Sequence, residues 1–348
     1  MLKIQQMKKY FSLVLVALVV LSACHRGGNE TVKNQKQGAD STRVMLETLN
    51  RQIEQDGSNA ELFNQRAKCY LADHQFDKAL KDINKAISQS GGKSTYYTTL
   101  SDIYLLMGKP DGSRDALRKA VEINPTDKEA MLKLAKLYLI VKDYKNCYAI
   151  VKQLLDIDNA NAAAYFTRAI GLLEQGDTIH AVGDLMQAVD KNQQYYEAYV
   201  QLGELYSVKK DPMAVLYLKN ALNIRPHSRE ALYMLGLFYQ ESGQFNNAIV
   251  TYQTLSKFDT SFREAPYNIG YICLVYLKDF KKAATYFTES IRKDPGYYQA
   301  YFNRGYAYEL AGDYKKAFED YQMSLKIEVN YDKAVEGLNR LDKHMVRK

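Results

Sequence analysis

The chain has 348 residues, a formal net charge of +7, and 47 basic against 40 acidic residues. This length is large for one globular core, so the residues must be divided among domains or spread along a repeat array. The near balance of charge argues against nucleic acid as a partner.

The first 23 residues have the organisation of a secretory signal. Lysines at positions 3, 8 and 9 precede an apolar run over residues 10–21 that is too short to span a bilayer stably. The run ends in Leu-Ser-Ala-Cys at residues 21–24, which resembles the lipobox of bacterial lipoproteins. That resemblance implies cleavage before Cys24 and acylation of its amine and thiol. The alternative is an ordinary signal peptide with a chance cysteine.

The residues that follow Cys24 indicate where such a lipoprotein would reside. His25 and Arg26 stand where some inner-membrane lipoproteins carry a retaining aspartate. The expected location is therefore the bacterial cell envelope, anchored by lipid at the outer membrane. Loss of the three signal lysines would lower the formal charge from +7 to +4.

Three flanking segments are expected around a central array. Residues 24–41 are rich in Gln, Asn, Lys and Gly without an apolar period, which predicts a flexible, lipid-anchored tether. Apolar residues spaced along 42–57 and 330–348 predict an N-terminal and a C-terminal capping helix.

Residues 58–329 carry a pattern that recurs about every 34 residues, as in stacked helical hairpins. Three series of mostly small residues run in phase. The first comprises Ala67, Ser101, Ala135, Ala169, Gly203, Gly236, Gly270 and Gly305. The second comprises Ala79, Ser113, Cys147, Ala181, Ala214, Ala248, Ala283 and Ala317. The third comprises Ala86, Ala120, Leu154, Ala188, Ala221, Leu255, Ser290 and Ser324.

Small residues at a fixed sequence period let two antiparallel helices approach each other closely, and bulky residues fill the space between them. A bulky series follows the second small series by four positions, at Ile83, Leu117, Val151, Leu185, Leu218, Tyr252, Phe287 and Tyr321. Each repeat is therefore predicted to be helix A, a short turn and helix B. The turn needs a left-handed residue, supplied in alternate repeats by glycine (Gly108, Gly176, Gly243, Gly312) and by lysine (Lys142, Lys210, Lys278).

The pattern resembles the tetratricopeptide repeat family, most completely over residues 300–317. The resemblance implies an all-α, right-handed superhelical solenoid of about eight repeats with terminal capping helices. It also implies a concave groove lined by the A helices, which takes a protein or peptide partner.

In register, the groove changes from polar in the first two repeats to aromatic in the last three. The predicted partner-binding residues are Phe166, Tyr233, Tyr267, Asn268, Tyr271, Phe302, Asn303 and Tyr306. Tyrosine on a preorganised face provides a large contact area at little entropic cost. The alternative is that these side chains only pack between neighbouring A helices. A clamp for C-terminal carboxylates is not expected, because Glu264 and Gln299 stand where the resemblance would require basic residues.

Catalytic, metal and cofactor sites are not expected from the sequence. It has no nucleophile, phosphate-loop or dinucleotide motif, and Cys69, Cys147 and Cys273 lie in different repeats, so no disulfide is predicted. Two functions remain: a lipid-anchored scaffold for protein partners in envelope assembly, secretion or recruitment of wall-remodelling enzymes, and a subunit that binds a glycan or lipid with its tyrosines.

Overall fold

The computed structural model describes residues 33–345, and every regular element in that range is an α-helix. The 18 described helices are α1 (Lys33–Gln55), α2 (Ala60–Ala72), α3 (Phe76–Ser90), α4 (Ser94–Leu106), α5 (Pro110–Ile123), α6 (Lys128–Ile140), α7 (Tyr144–Ile157), α8 (Ala162–Glu174), α9 (Thr178–Lys191), α10 (Tyr196–Val208), α11 (Met213–Ile224), α12 (Arg229–Glu241), α13 (Phe245–Phe258), α14 (Glu264–Val275), α15 (Phe280–Lys293), α16 (Tyr298–Leu310), α17 (Tyr314–Ile327) and α18 (Asp332–Met345). None of them combines the length and the apolar character that a membrane span requires.

The helices form two compact units, one up to Asn192 and one from Gln193. The first contains the cap α1 and four A–B pairs, α2/α3 to α8/α9, and the second contains four pairs, α10/α11 to α16/α17, and the cap α18. Eight helix pairs over residues 60–327 confirm the prediction of an all-α repeat array with a capping helix at either end.

The N-terminal cap differs from its prediction. Helix α1 begins at Lys33, so residues 33–41 of the predicted tether are helical, and the helix ends at Gln55 rather than at residue 57. Lys, Gln and Ala are good helix formers, so a helix held by the buried Leu49 extends backward without an apolar period. The predicted signal, the lipidation site Cys24 and the tether over residues 24–32 lie outside the described residues.

The three series of small residues occupy the contact between paired helices. Every member is buried, and all members of the second and third series have 0% relative exposure. The bulky series is buried too, at no more than 2%. The register read from the sequence therefore places the correct residues between the helices in all eight repeats.

The size of the residue in the first small series is related to the size of the side chain that faces it in the bulky series. In the second unit the small residue is glycine, and a Cβ on Gly203 or Gly270 would lie 2.6 Å from Leu218 Cδ2 or 2.9 Å from Phe287 Cδ1. A Cβ on Gly236 would collide with the ring of Tyr252. The first unit has alanine or serine in that series and only Ile, Leu or Val in the bulky series. In the last three repeats the missing Cβ on helix A thus makes room for an aromatic ring on helix B, whereas Gly203 faces a leucine, Leu218.

The A–B turns have the predicted left-handed residue. Gly108, Gly176, Gly243 and Gly312 have φ of 72–85°, and Lys142, Lys210 and Lys278 have φ of 55–60°. His74, with φ 56°, holds the same place in the first repeat.

Ion pairs replace apolar contacts between helices A and B in three repeats. The Arg304 guanidinium donates to both carboxylate oxygens of Asp320 at 2.7 and 2.8 Å. Arg66 with Asp82 and Arg168 with Asp184 have the same two-bond geometry. Each pair spans 16 residues, from the position before the first small residue to a buried position on helix B.

Gly270→Ala tests the packing register. The added Cβ overpacks against Phe287, so we expect the free energy of unfolding to fall by roughly 1–3 kcal/mol in thermal melts followed by circular dichroism. Phe287→Leu in the same chain makes room for the Cβ, so the double variant should lose less than the sum of the two single losses.

Gly183→Ala is the control for this prediction. Gly183 lies within α9, and a Cβ there would meet no atom within 4 Å. Alanine should therefore stabilise the helix, by up to about 1 kcal/mol. Equal destabilisation by both substitutions would contradict the interpretation that the missing Cβ of Gly270 makes room for Phe287.

Candidate functional site

Several A helices of the second unit contact one another along a layer that we call the inner layer. Helix α10 contacts α12, α14 contacts α16, and α16 contacts the cap α18. The aromatic side chains predicted to face a partner lie on this layer in two sets. We call Tyr233, Tyr267 and Phe302 the deep row, three residues before the first small series, and Tyr271 and Tyr306 the outer pair, one residue after it.

Each deep-row ring packs on the bulky residue of its own helix B. Ring centroids are 6.2 Å apart for Tyr233 and Tyr252, 5.6 Å for Tyr267 and Phe287, and 5.7 Å for Phe302 and Tyr321. The last two partners have no exposed surface. The deep row is therefore part of the packing that joins helix A to helix B.

An aromatic residue in the next interrepeat loop closes over each deep-row ring. Phe262 lies 5.2 Å from Tyr233, Tyr297 lies 4.9 Å from Tyr267, and Tyr331 lies 5.3 Å from Phe302, between ring centroids. These loop aromatics are absent from the predicted site, although their spacing of 35 and 34 residues is visible in the sequence. Burial raises the pKa of Tyr297 and of Tyr267, which disfavours the charged phenolate in this packed position.

Of the two predicted asparagines, Asn303 supports the deep row with a hydrogen bond, whereas the buried Asn268 Nδ2 has no hydrogen-bond partner among the described residues. Asn303 Nδ2 donates to the Tyr267 hydroxyl of the preceding repeat at 2.7 Å. Asn268 lies one repeat after Tyr233, in the position that corresponds to Asn303. Asn268 is 4% exposed and Asn303 is 9% exposed. Both amides are buried among the repeats, so their contact with a partner stays a prediction that would require this packing to open.

The outer pair makes fewer aromatic contacts than the deep row and, like it, is half-buried. Tyr271 meets Tyr276 edge-on at 6.2 Å between centroids. Tyr306 lies nearly parallel to Phe302, at 6.4 Å and 6° between ring planes, with the Arg340 guanidinium 5.5 Å from its centroid. These two rings are therefore held by fewer aromatic neighbours than the deep row, and within residues 33–345 no interrepeat-loop aromatic closes over them.

Phe166, the remaining predicted contact, lies on α8 in the first unit. It is half-buried against the core that contains Leu134, Tyr138 and Ile170. It belongs to a different compact unit from the deep row and the outer pair.

The three cysteines of the described residues form no disulfide. Cys69, Cys147 and Cys273 are free, and burial raises the pKa of Cys147 to about 12, which suppresses thiolate formation. Within residues 33–345 no group of three His, Cys, Asp or Glu side chains is placed to hold a metal ion.

Family comparisons identify the repeats. Three sequence models of the tetratricopeptide repeat match residues 274–332, 94–127 and 230–261. Matches therefore fall in both units, and the chain contains tetratricopeptide repeats.

Curated relatives share the repeats at low identity. BBSome complex member BBS4 of Bos taurus is 26% identical over 260 residues, covering 72% of this chain and 48% of the relative. DnaJ homolog subfamily C member 3 of Homo sapiens is 22% identical, covering 83% and 63%. Protein O-mannosyl-transferase TMTC3 of Homo sapiens is 24% identical, covering 70% and 27%. The chain thus spans less than two thirds of each of these relatives.

A solved structure supports the fold. The C-terminal part of a TPR repeat-containing protein from Cytophaga hutchinsonii superposes with a TM-score of 0.59 at 18% identity, covering 68% of this chain and 98% of that one. The likeness concerns the arrangement of helices.

Asn303→Leu tests the buried position of the asparagine. The substitution leaves the Tyr267 hydroxyl without its donor, so we expect the free energy of unfolding to fall by about 1–3 kcal/mol. Adding Tyr267→Phe removes the stranded hydroxyl and should restore part of that loss in urea denaturation. Unchanged stability combined with lost partner binding would instead place Asn303 on the partner surface.

Proposed function

We propose that this protein is a lipid-anchored scaffold of the bacterial cell envelope that holds a protein partner on the A-helix face of its second unit. Envelope assembly, secretion and recruitment of wall-remodelling enzymes are the processes in which such a scaffold would act. The tetratricopeptide repeats support a role in protein–protein interaction, and the sequence motifs support the anchor. The chain is proposed to bind rather than to catalyse.

The observation that carries the proposal is the outer pair on its rigid support. Tyr271 and Tyr306 are partly accessible on helices and have no interrepeat-loop aromatic over them in the described part of the chain, and the deep row beside them is fixed by packing and by the Asn303 hydrogen bond. A surface held in one conformation loses little entropy on binding. Tyrosine is enriched among residues that dominate interface energy.

Supporting the anchor, Cys24 follows Leu-Ser-Ala at the end of the apolar run. A glycan or lipid ligand is the competing occupant, because flat aromatic faces such as those of Phe302 and Tyr306, which are nearly parallel, also suit stacking.

Cys24→Ser should abolish anchoring. Without the thiol there is no acylation site, so the protein should appear as a soluble or unprocessed species when cells are fractionated and immunoblotted. A processed Cys24→Ser protein that still sediments with membranes would contradict the lipoprotein proposal.

Tyr271→Ala with Tyr306→Ala should weaken partner capture by roughly tenfold or more, since buried interface anchors contribute on the order of 2 kcal/mol and about 1.4 kcal/mol is one decade. The measurement is crosslinking in intact cells with quantitative mass spectrometry. Helical content should be retained, because neither ring belongs to the deep row.

Tyr144→Ala with Tyr148→Ala is the matched control. These two tyrosines are also half-buried, stack at 6.5 Å, and lie on helix B of the first unit. Capture should survive this change. If both double variants capture partners as the parent does, the surface lies elsewhere; wall-glycan binding that depends on the outer pair would favour the competing occupant.

A further inference from the structure

Charge is segregated between the two helix layers of the second unit. Its A helices α10, α12, α14 and α16 carry six glutamates and two arginines, whereas its B helices α11, α13, α15 and α17 carry nine basic and three acidic residues. The A helices of the first unit show no such acidity, with six basic and four acidic residues. By its own helix residues the layer that presents the outer pair is thus acidic, and arginines from the loops and the cap pair with three of its six glutamates: Glu197, Glu264 and Glu309.

The two arginines on the A helices do not offset this acidity. Arg304 is held by Asp320 on α17 at 2.7 and 2.8 Å, and Arg229 is paired with Asp259 in the loop after α13. Both carboxylates lie outside the A helices.

Three of the six glutamates repeat at one position, in the first or second residue of α10, α12 and α14. We call Glu197, Glu230 and Glu264 the glutamate row. Glu230 and Glu264 each stand three residues before a deep-row tyrosine, which places both side chains on the same helix face as that tyrosine. The row therefore runs beside the aromatic surface.

Glu230 is the member of the row that most favours a cationic neighbour. It is half-buried, and its burial raises the pKa of its carboxyl, with the Tyr196 hydroxyl donating to Oε2 at 3.3 Å. Among the nearby charges, Glu197 raises that pKa further and Arg225 lowers it. A cation from a ligand would offset the desolvation and the repulsion together.

The protein already seats cations on this surface in the same manner. The Arg225 guanidinium lies 3.9 Å from the Tyr196 ring centroid and donates to Glu197 at 2.7 Å. The Arg263 guanidinium lies 4.2 Å from the Tyr297 ring centroid and 3.2 Å from Glu264. Each combines a ring face with a carboxylate, which together bind a cation more strongly than either does.

We propose that the A-helix face of the second unit receives an extended polypeptide segment bearing lysine or arginine, whose cations lie against the glutamate row while neighbouring side chains contact the outer pair. This inference rests on the proposed function and names the chemistry of the partner. The chain as a whole is positively charged, at +7, so its net charge does not by itself attract a cationic segment.

The test measures fluorescence anisotropy of the full-length protein in detergent with two labelled peptides. One alternates lysine with serine, and the other alternates glutamate with serine. We expect the lysine peptide to bind and the glutamate peptide not to bind, and binding of the lysine peptide to weaken as salt is added. Absence of lysine-peptide binding, or equal binding of both peptides, would overturn the inference.

Glu230→Gln with Glu264→Gln should weaken binding of the lysine peptide by roughly tenfold. The matched control is Glu61→Gln with Glu129→Gln, two first-turn glutamates on A helices of the first unit, which should leave binding unchanged. Equal losses in both variants would overturn the glutamate row as the site. Thermal melts establish that all variants are folded.

Crosslinking in cells separates this inference from the proposed function. If the glutamine variants keep the natural partner while the outer-pair variant loses it, the scaffold proposal holds and the cationic chemistry is wrong. If the lysine peptide binds through the glutamate row but no crosslinked protein depends on the outer pair, the scaffold proposal fails. Self-association that the glutamine variants abolish would identify a second copy of this chain as the occupant and overturn the inference.

Discussion

The close approach of helix A to helix B at one small residue per repeat is the constraint on which the rest of the structure depends. In the second unit that residue is glycine, and the space left by its missing Cβ holds Leu218, Tyr252, Phe287 or Tyr321. Because protein interiors are close-packed, the size of one side chain fixes the size of the other. The first unit combines alanine or serine with an aliphatic side chain, and the last three repeats of the second unit combine glycine with an aromatic ring, which we call the aromatic solution.

The aromatic solution has a consequence for the surface. Large rings on helix B reach the inner layer, where they support Tyr233, Tyr267 and Phe302. Loop aromatics and Asn303 then fix those rings from the other side. The packing of the core and the rigidity of the candidate binding face are therefore one network in the second unit, and the outer pair stands beside it.

Electrostatics distinguishes the two units as clearly as packing does. Acidic side chains collect on the A helices of the second unit, and several are already balanced by arginines from loops and the cap, such as Arg225 and Arg340. A surface that combines tyrosine rings with partly desolvated carboxylates differs from a carboxylate clamp, which needs positive charge. The chemistry of this face is suited to donors and cations rather than to an acidic tail.

The sequence by itself determined the repeat length, the eight helix pairs, the buried small and bulky series and the left-handed turns, because each of these depends on residues close together in the chain at a fixed period. Only the tertiary structure decided which predicted site residues are accessible. Asn268 and Asn303 are polar residues at predicted groove positions, but both are buried. Phe262, Tyr297 and Tyr331 contact the deep row from the following loops. Exposure depends on contacts between neighbouring repeats about 34 residues apart, and a pattern within one repeat does not contain them.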